Sequence, residues 1–121
     1  MSHNFAFLSL TTAPQSMALN EKIPFNITNM LKGMTYNSTN RYVTVKTKGL
    51  YQISFGYHHT RSQQFIITVN GTSLGNQFKT LGNTIVSLLY LNANDNVAMM
   101  KCDATDTTNN MTAFLTLQRV Y

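Results

Sequence analysis

Histidine is the side chain best suited to proton transfer and metal binding near neutral pH, and the chain carries a pair of them at His58-His59. In a strand, neighbouring residues point to opposite faces, so the two imidazoles of one chain cannot hold the same ion. Cys102 is the only cysteine, which excludes an intrachain disulfide and a cysteine metal cluster. A nucleophilic thiolate needs a base or cation placed to lower its pKa, and no recognised catalytic-cysteine pattern surrounds Cys102; its expected place in a strand makes it a small, buried hydrophobe. The acids are Glu21, Asp95, Asp103 and Asp106. Asp95 is a turn residue by position. Asp103-Ala104-Thr105-Asp106 offers oxygen ligands of the kind calcium prefers but lacks the Asp/Asn/Gly cadence of a dedicated loop. No Gly-x-Ser-x-Gly, phosphate loop or His-Glu-x-x-His occurs. The expectation is a protein that is not an enzyme, with no catalytic residue and no cofactor.

The frame that must hold these residues is small, 121 residues and 13.6 kDa, which predicts one domain over 1–121. Charged residues make up 11% of the chain and hydrophobic ones 43%, while 17 threonines and 14 asparagines supply neutral polarity. Intrinsic disorder, which needs low hydrophobicity and high charge, is excluded, as is a coiled coil with charged heptads. A threonine-rich β protein fits. The net charge is +5, but the basic residues are scattered and Lys46/Lys48 is their only close pair. Without a basic stripe interleaved with aromatics, no nucleic-acid partner is expected. No run of 18 apolar residues occurs, so no membrane insertion is expected. Met1-Ser2-His3-Asn4 has no positively charged leader, so no signal peptide is read here. A domain of this kind working outside cells either has lost a leader or leaves by a route that needs none, such as assembly inside a cell followed by lysis, as for virions and spore coats.

Alternation runs along almost every segment. Phe5, Phe7 and Ser9 oppose Ala6, Leu8 and Leu10 until Pro14 ends the pattern. Residues 14 to 22 read as loop, Ile23 to Ile27 as a proline-bearing edge strand or bend, and Thr28 to Tyr36 as ambiguous between helix and strand. Tyr42 to Thr47 is a strand. The next, Leu50 to His59, places Tyr51, Ile53, Phe55 and Tyr57 on one core face. Phe65 to Val69 ends at Asn70-Gly71, a type I′ hairpin signal, and a weaker segment, Ser73 to Thr80, pairs back. Ile85-Val86-Ser87-Leu88-Leu89-Tyr90-Leu91 is apolar on both faces, so its second face needs cover. Asn92 to Asn96 turns, Val97 to Cys102 forms a strand, Asp103 to Asn110 is a loop, and Thr112 to Tyr121 closes the chain. Eight to ten short strands without a persuasive helix describe an all-β sandwich or jelly roll.

The run Tyr42-Val43-Thr44-Val45-Lys46-Thr47-Lys48-Gly49-Leu50-Tyr51-Gln52-Ile53-Ser54-Phe55 resembles the F-x-V-x-x-x-G-x-Y-x-I/F-x signature of the C1q/TNF-like jelly-roll superfamily. In the order that family requires, Phe5-Ala6-Phe7 resembles its first strand, Leu91 to Val97 is similar to its L-x-x-G-D-x-V turn, and Phe114-Leu115-Thr116-Leu117 resembles its closing strand. Asn94 replaces the usual glycine before Asp95, which an αL-tolerant asparagine permits. Thr116 stands where many members carry glycine. The sparse charge and Thr/Asn-rich surface are closest in character to the head domains of collagen-like glycoproteins of bacterial spore surfaces, the exosporium, or to phage surface proteins.

The resemblance implies a ten-stranded, two-sheet jelly-roll sandwich that assembles as a homotrimer through its inner sheets. The alternation agrees, because Val86, Leu88 and Tyr90 must leave the sandwich if Ile85, Leu89 and Leu91 enter it, and an exposed apolar stripe usually marks an interface. The family's geometry would bring Leu50, Gln52, Ser54 and His58 to the threefold axis, along with Phe114, Thr116 and Gln118, and cyclic symmetry would close these patches. Three copies of His58 around that axis could offer imidazoles to zinc, but the simpler expectation is a polar residue at a wet channel, with no bound metal. Four glycosylation sequons, at Asn26, Asn37, Asn70 and Asn110, are about the number chance supplies. The function expected is a trimeric structural or adhesive head on a spore, phage or cell surface, touching an unknown surface protein or glycan through loops at 14 to 22, 60 to 64 and 103 to 110. The alternative is a soluble receptor-binding or lectin-like module, which would need aromatic platforms, and most aromatics here fall at inward positions.

Overall fold

The computed structural model describes residues 4–11, 16–104 and 111–121. Its strands are β1 (Phe5–Leu10), β2 (Ile27–Lys32), β3 (Met34–Asn37), β4 (Tyr42–Val45), β5 (Gly49–His58), β6 (Phe65–Val69), β7 (Thr72–Ser73), β8 (Thr84–Leu91), β9 (Asn96–Lys101) and β10 (Thr112–Arg119). They form two five-stranded sheets, ordered β2-β1-β10-β5-β8 and β3-β4-β9-β6-β7, and the pairings within both are antiparallel. We call the first the B5 sheet after its longest strand, β5.

Period-two alternation sends one set of side chains from each sheet into the space between them. Leu8 and Leu10 of β1, Tyr51, Ile53 and Phe55 of β5, and Leu115 and Leu117 of β10 meet Val43, Val45, Phe65, Ile67, Val97 and Met99 of the other sheet. The apolar run of β8 divides as its pattern predicts. Ile85 and Leu91 are buried and Leu89 partly so, while Val86, Leu88 and Tyr90 face away from the sandwich. The turns follow local chemistry as well. Asn70 and Gly71 both have positive φ in the β6–β7 hairpin, and Asn94 takes φ 73° in the β8–β9 turn, the left-handed conformation expected of it there.

Four segments differ from their sequence reading. Thr28 to Tyr36 is neither a helix nor one strand: it forms β2 and β3, separated by Gly33 at φ 71°. Ile23 to Ile27 contributes only the start of β2 at Ile27, and Ile23 is held through its N–H to the Met99 carbonyl at 2.9 Å, with Ile23 and Phe25 buried. The segment Ser73 to Thr80 pairs back only over Thr72–Ser73 and then enters a 3-10 turn at Asn76–Phe78. Gly75, at φ 122°, directs the chain into that turn, which an extended strand cannot accommodate. Cys102 lies just beyond β9 and is half-buried, where its N–H reaches the Gln64 carbonyl at 2.9 Å.

Lys101 is the exception in the inward set. It follows Val97 and Met99 in the alternation of β9, and its fully buried ammonium pairs with the Asp103 carboxylate. A buried ammonium without a charged partner is strongly disfavoured. Replacing Asp103 with asparagine keeps an acceptor but removes the charge, so Asp103→Asn is expected to destabilise the fold by roughly 2 kcal/mol. Urea unfolding checks this, and an unchanged midpoint would show that the pair contributes nothing.

Candidate functional site

Strand register assembles the face of the B5 sheet that points away from the core. Gln52 lies opposite Gln118 on one side and Leu88 on the other, Ser54 lies between Thr116 and Val86, and Gly56 lies between Phe114 and Thr84. Leu50 pairs with Tyr90 at one end and His58 with Thr112 at the other. All ten residues expected to meet a second copy therefore occupy one continuous face. Val86 is 66% exposed, Leu88 56% and Tyr90 75%.

The face is wider than that set. Phe7 pairs with Thr116 and Met30 with Phe7, while Phe5 lies between Gln118 and Lys32, so β1 and β2 extend the apolar surface across the sheet. The alternation of β1 contained this signal, since Phe5 and Phe7 share the side opposite Ala6, Leu8 and Leu10. Near one end of the face, Gly56 of β5 has no side chain. A Cβ there would stand 2.5 Å from Cε1 of Phe114, so the Phe114 ring lies against the Gly56 backbone. Beside it, Gly56, His58, Asn83, Thr84, Thr112 and Phe114 help line a cleft of about 210 Å³.

Among the described residues, those considered for chemistry do not converge. His58 is exposed at the end of β5, and His59 lies outside the strand, its Nδ1 accepting the Arg61 N–H at 3.0 Å. Burial pushes the Cys102 thiol up, against the pull of Lys79, which lowers its thiolate fraction near neutral pH. Asp95 accepts the Asn92 N–H at 2.8 Å and the Asn70 amide at 3.0 Å, so it stiffens its own turn. Asp103 pairs with Lys101, while Asp106 lies outside the described residues, as does the sequon at Asn110. Among the described residues, no cluster of three His, Cys, Asp or Glu side chains suits a metal ion.

The described parts of the three loops expected to make outer contacts gather around the end of β9, where Gln64 accepts the Cys102 N–H at 2.9 Å and donates its own N–H to the Asp103 carboxylate at 3.3 Å. Lys101 donates its N–H to the Glu21 carbonyl and accepts from the Asn20 N–H, both at 2.8 Å. Tyr57 donates its hydroxyl to the Gln63 carbonyl at 2.7 Å and accepts the Gln63 N–H at 2.8 Å. Residues 12–15 and 105–110 of these loops lie outside the described residues. No described helix is long and apolar enough to cross a membrane.

The sequence matches no family model and no curated protein. Solved structures do resemble it. The globular domain of zebrafish complement 1qA protein is 14% identical with a TM-score of 0.78, over 98% of each chain. Eiger TNF from S. frugiperda is 11% identical with a TM-score of 0.65, over 98% of this chain and 92% of that one. Rabbit GITRL is 11% identical with a TM-score of 0.56, over 96% and 94% respectively. With two antiparallel five-stranded sheets in this arrangement, the chain has the C1q/TNF-like jelly-roll fold.

Proposed function

We propose that the chain is a single, non-enzymatic head domain that closes into a homotrimer through the outward face of its B5 sheet. The carrying observation is the exposure of Val86, Leu88 and Tyr90 on an edge strand, continuous with Phe114 and with Phe5 and Phe7. An apolar sheet face of this width exposes a water-facing stripe that a second copy can cover. Packing around a threefold axis would make the contact between copies head-to-tail and close it as a ring. Three copies follow from the likeness to C1q/TNF heads. In this reading Leu50, Gln52, Ser54, His58, Thr116 and Gln118 pack beside the apolar residues, and the clustered loops at the far end touch an outside protein or glycan. The sparse charge and abundant Thr and Asn favour an extracellular surface assembly such as a spore coat or virion.

Light scattering coupled to size exclusion tests the assembly. The expected mass is close to three times 13.6 kDa. A chain that remains monomeric at high micromolar concentration would overturn the reading.

A further inference from the structure

The side chain of Asn70 joins two turns. Its oxygen accepts the Asn96 N–H at 2.9 Å, and its amide nitrogen donates to the Asp95 carboxylate at 3.0 Å. The Asn70 backbone N–H adds a third bond, to the Asn96 carbonyl at 2.8 Å. The β6–β7 hairpin is thereby tied to the β8–β9 turn, and Asp95 is held through its other oxygen by the Asn92 N–H at 2.8 Å. Next in sequence is Gly71, at φ 82°, where a Cβ would meet nothing within 4 Å. Tight-turn geometry explains two residues that tolerate positive φ. The pair also has a chemistry of its own, because glycine has no side chain to shield its backbone nitrogen from the neighbouring amide carbon. It is the only Asn-Gly pair in the chain.

We infer that Asn70 is a self-modification site, whose deamidation the native tie holds back and the unfolded chain permits. The Gly71 nitrogen attacks Cγ of Asn70 and forms a C–N bond, the amide nitrogen leaves as ammonia with the Gly71 N–H proton, and water opens the resulting succinimide to aspartate or isoaspartate. In the native fold this attack requires the side chain to leave both of its bonds to the β8–β9 turn. Once formed, the product does not restore the tie. A carboxylate then faces the Asp95 carboxylate where an N–H had donated, which removes a hydrogen bond and sets two like charges together. Isoaspartate further adds a backbone carbon to a turn whose length sets the hairpin register. One unfolding event is thus converted into a lasting loss of the link between the turns. Asn70 and Asp95 lie away from the B5 sheet, so the inference is independent of the proposed assembly.

Peptide mass spectrometry of the full chain, incubated at mildly alkaline pH either folded or in urea, reads the replacement of NH2 by OH at Asn70. Deamidation is expected to run at least about tenfold faster in urea, where two hydrogen bonds no longer oppose the attack. Gly71→Ala, compared in urea so that strain at its positive φ has no bearing, should slow the reaction severalfold. Urea unfolding then reads the consequence. Asn70→Asp, which makes one product directly, should lower the midpoint, and adding Asp95→Asn to that chain should recover most of the loss. The exchanged pair again has an amide donating to a carboxylate, with Asn92 and Asn96 still served. Where Asn70→Asp alone fails to fold, folding of the exchanged chain makes the same comparison. Equal rates in the folded and urea-unfolded chain, or an undiminished rate in Gly71→Ala, would overturn the gated reaction. A midpoint in Asn70→Asp equal to the wild type, or no recovery in the exchanged chain, would overturn the tie.

Discussion

Leu88→Glu is expected to reduce the particle from three times 13.6 kDa to a single chain. Leu88 lies opposite Gln52 near the middle of edge strand β8 and is more than half exposed in the isolated chain, so the change leaves the sandwich interior untouched. Burying a leucine contributes about 1.5–3 kcal/mol. A closed trimer buries three of them, and the variant must also desolvate three carboxylates, which is costly without partners. The association constant should fall by several orders of magnitude, while the urea midpoint of the isolated chain stays near that of the wild type. Sedimentation velocity across a concentration series distinguishes the outcomes. A variant that remains a trimer would show that the copies meet elsewhere.

The largest effect on folding is expected from Phe65→Ala. Phe65 is fully buried, with its ring 5.4 Å from that of Phe55 and 5.2 Å from that of Tyr57, an aromatic cluster that joins the two sheets. Offset and edge-on contacts of this kind add to the area buried. Truncation should destabilise the chain by about 3–5 kcal/mol through lost transfer energy and the cavity left behind. Against a total stability of roughly 5–15 kcal/mol, that shifts the urea midpoint far towards unfolding. Tyr57→Phe provides the comparison, because it keeps the ring but strands the Gln63 N–H and carbonyl that the hydroxyl joins, and it should cost about 1–3 kcal/mol. Equal losses in the two variants would show that packing is not the dominant contribution.

Much of the sandwich was legible because the information is local. Tyr51, Ile53, Phe55 and Tyr57 alternate with smaller or polar residues, so the core face of β5 could be read directly, and the double apolarity of β8 required both a core and a cover. Asn70-Gly71 and Asn94 announce their turns through residues that tolerate positive φ. Ser73 to Thr80 was less legible, since weak alternation does not distinguish a strand from a 3-10 turn that begins after Gly75. The outer face of β1 was also ambiguous. Phe5 and Phe7 are larger than Ala6 and Leu8, yet the smaller set enters the core. Size alone does not say which side of a doubly apolar strand faces inward; the neighbouring strands do.

The sequence by itself determined the β class, most of the strands and their turns, the inward set on β5 and β8, and the lack of any catalytic motif. These follow from side-chain period and backbone preference within a few residues. Only the tertiary structure decided that β1 and β2 widen the face formed by β10, β5 and β8, that Asn20, Glu21 and Gln64 gather around the end of β9, and that Arg119 lies over Gly49 beside Lys48, 71 residues earlier. The physical reason is that sheet partners and registers are settled by non-local pairing, whose consequences no single stretch of chain carries.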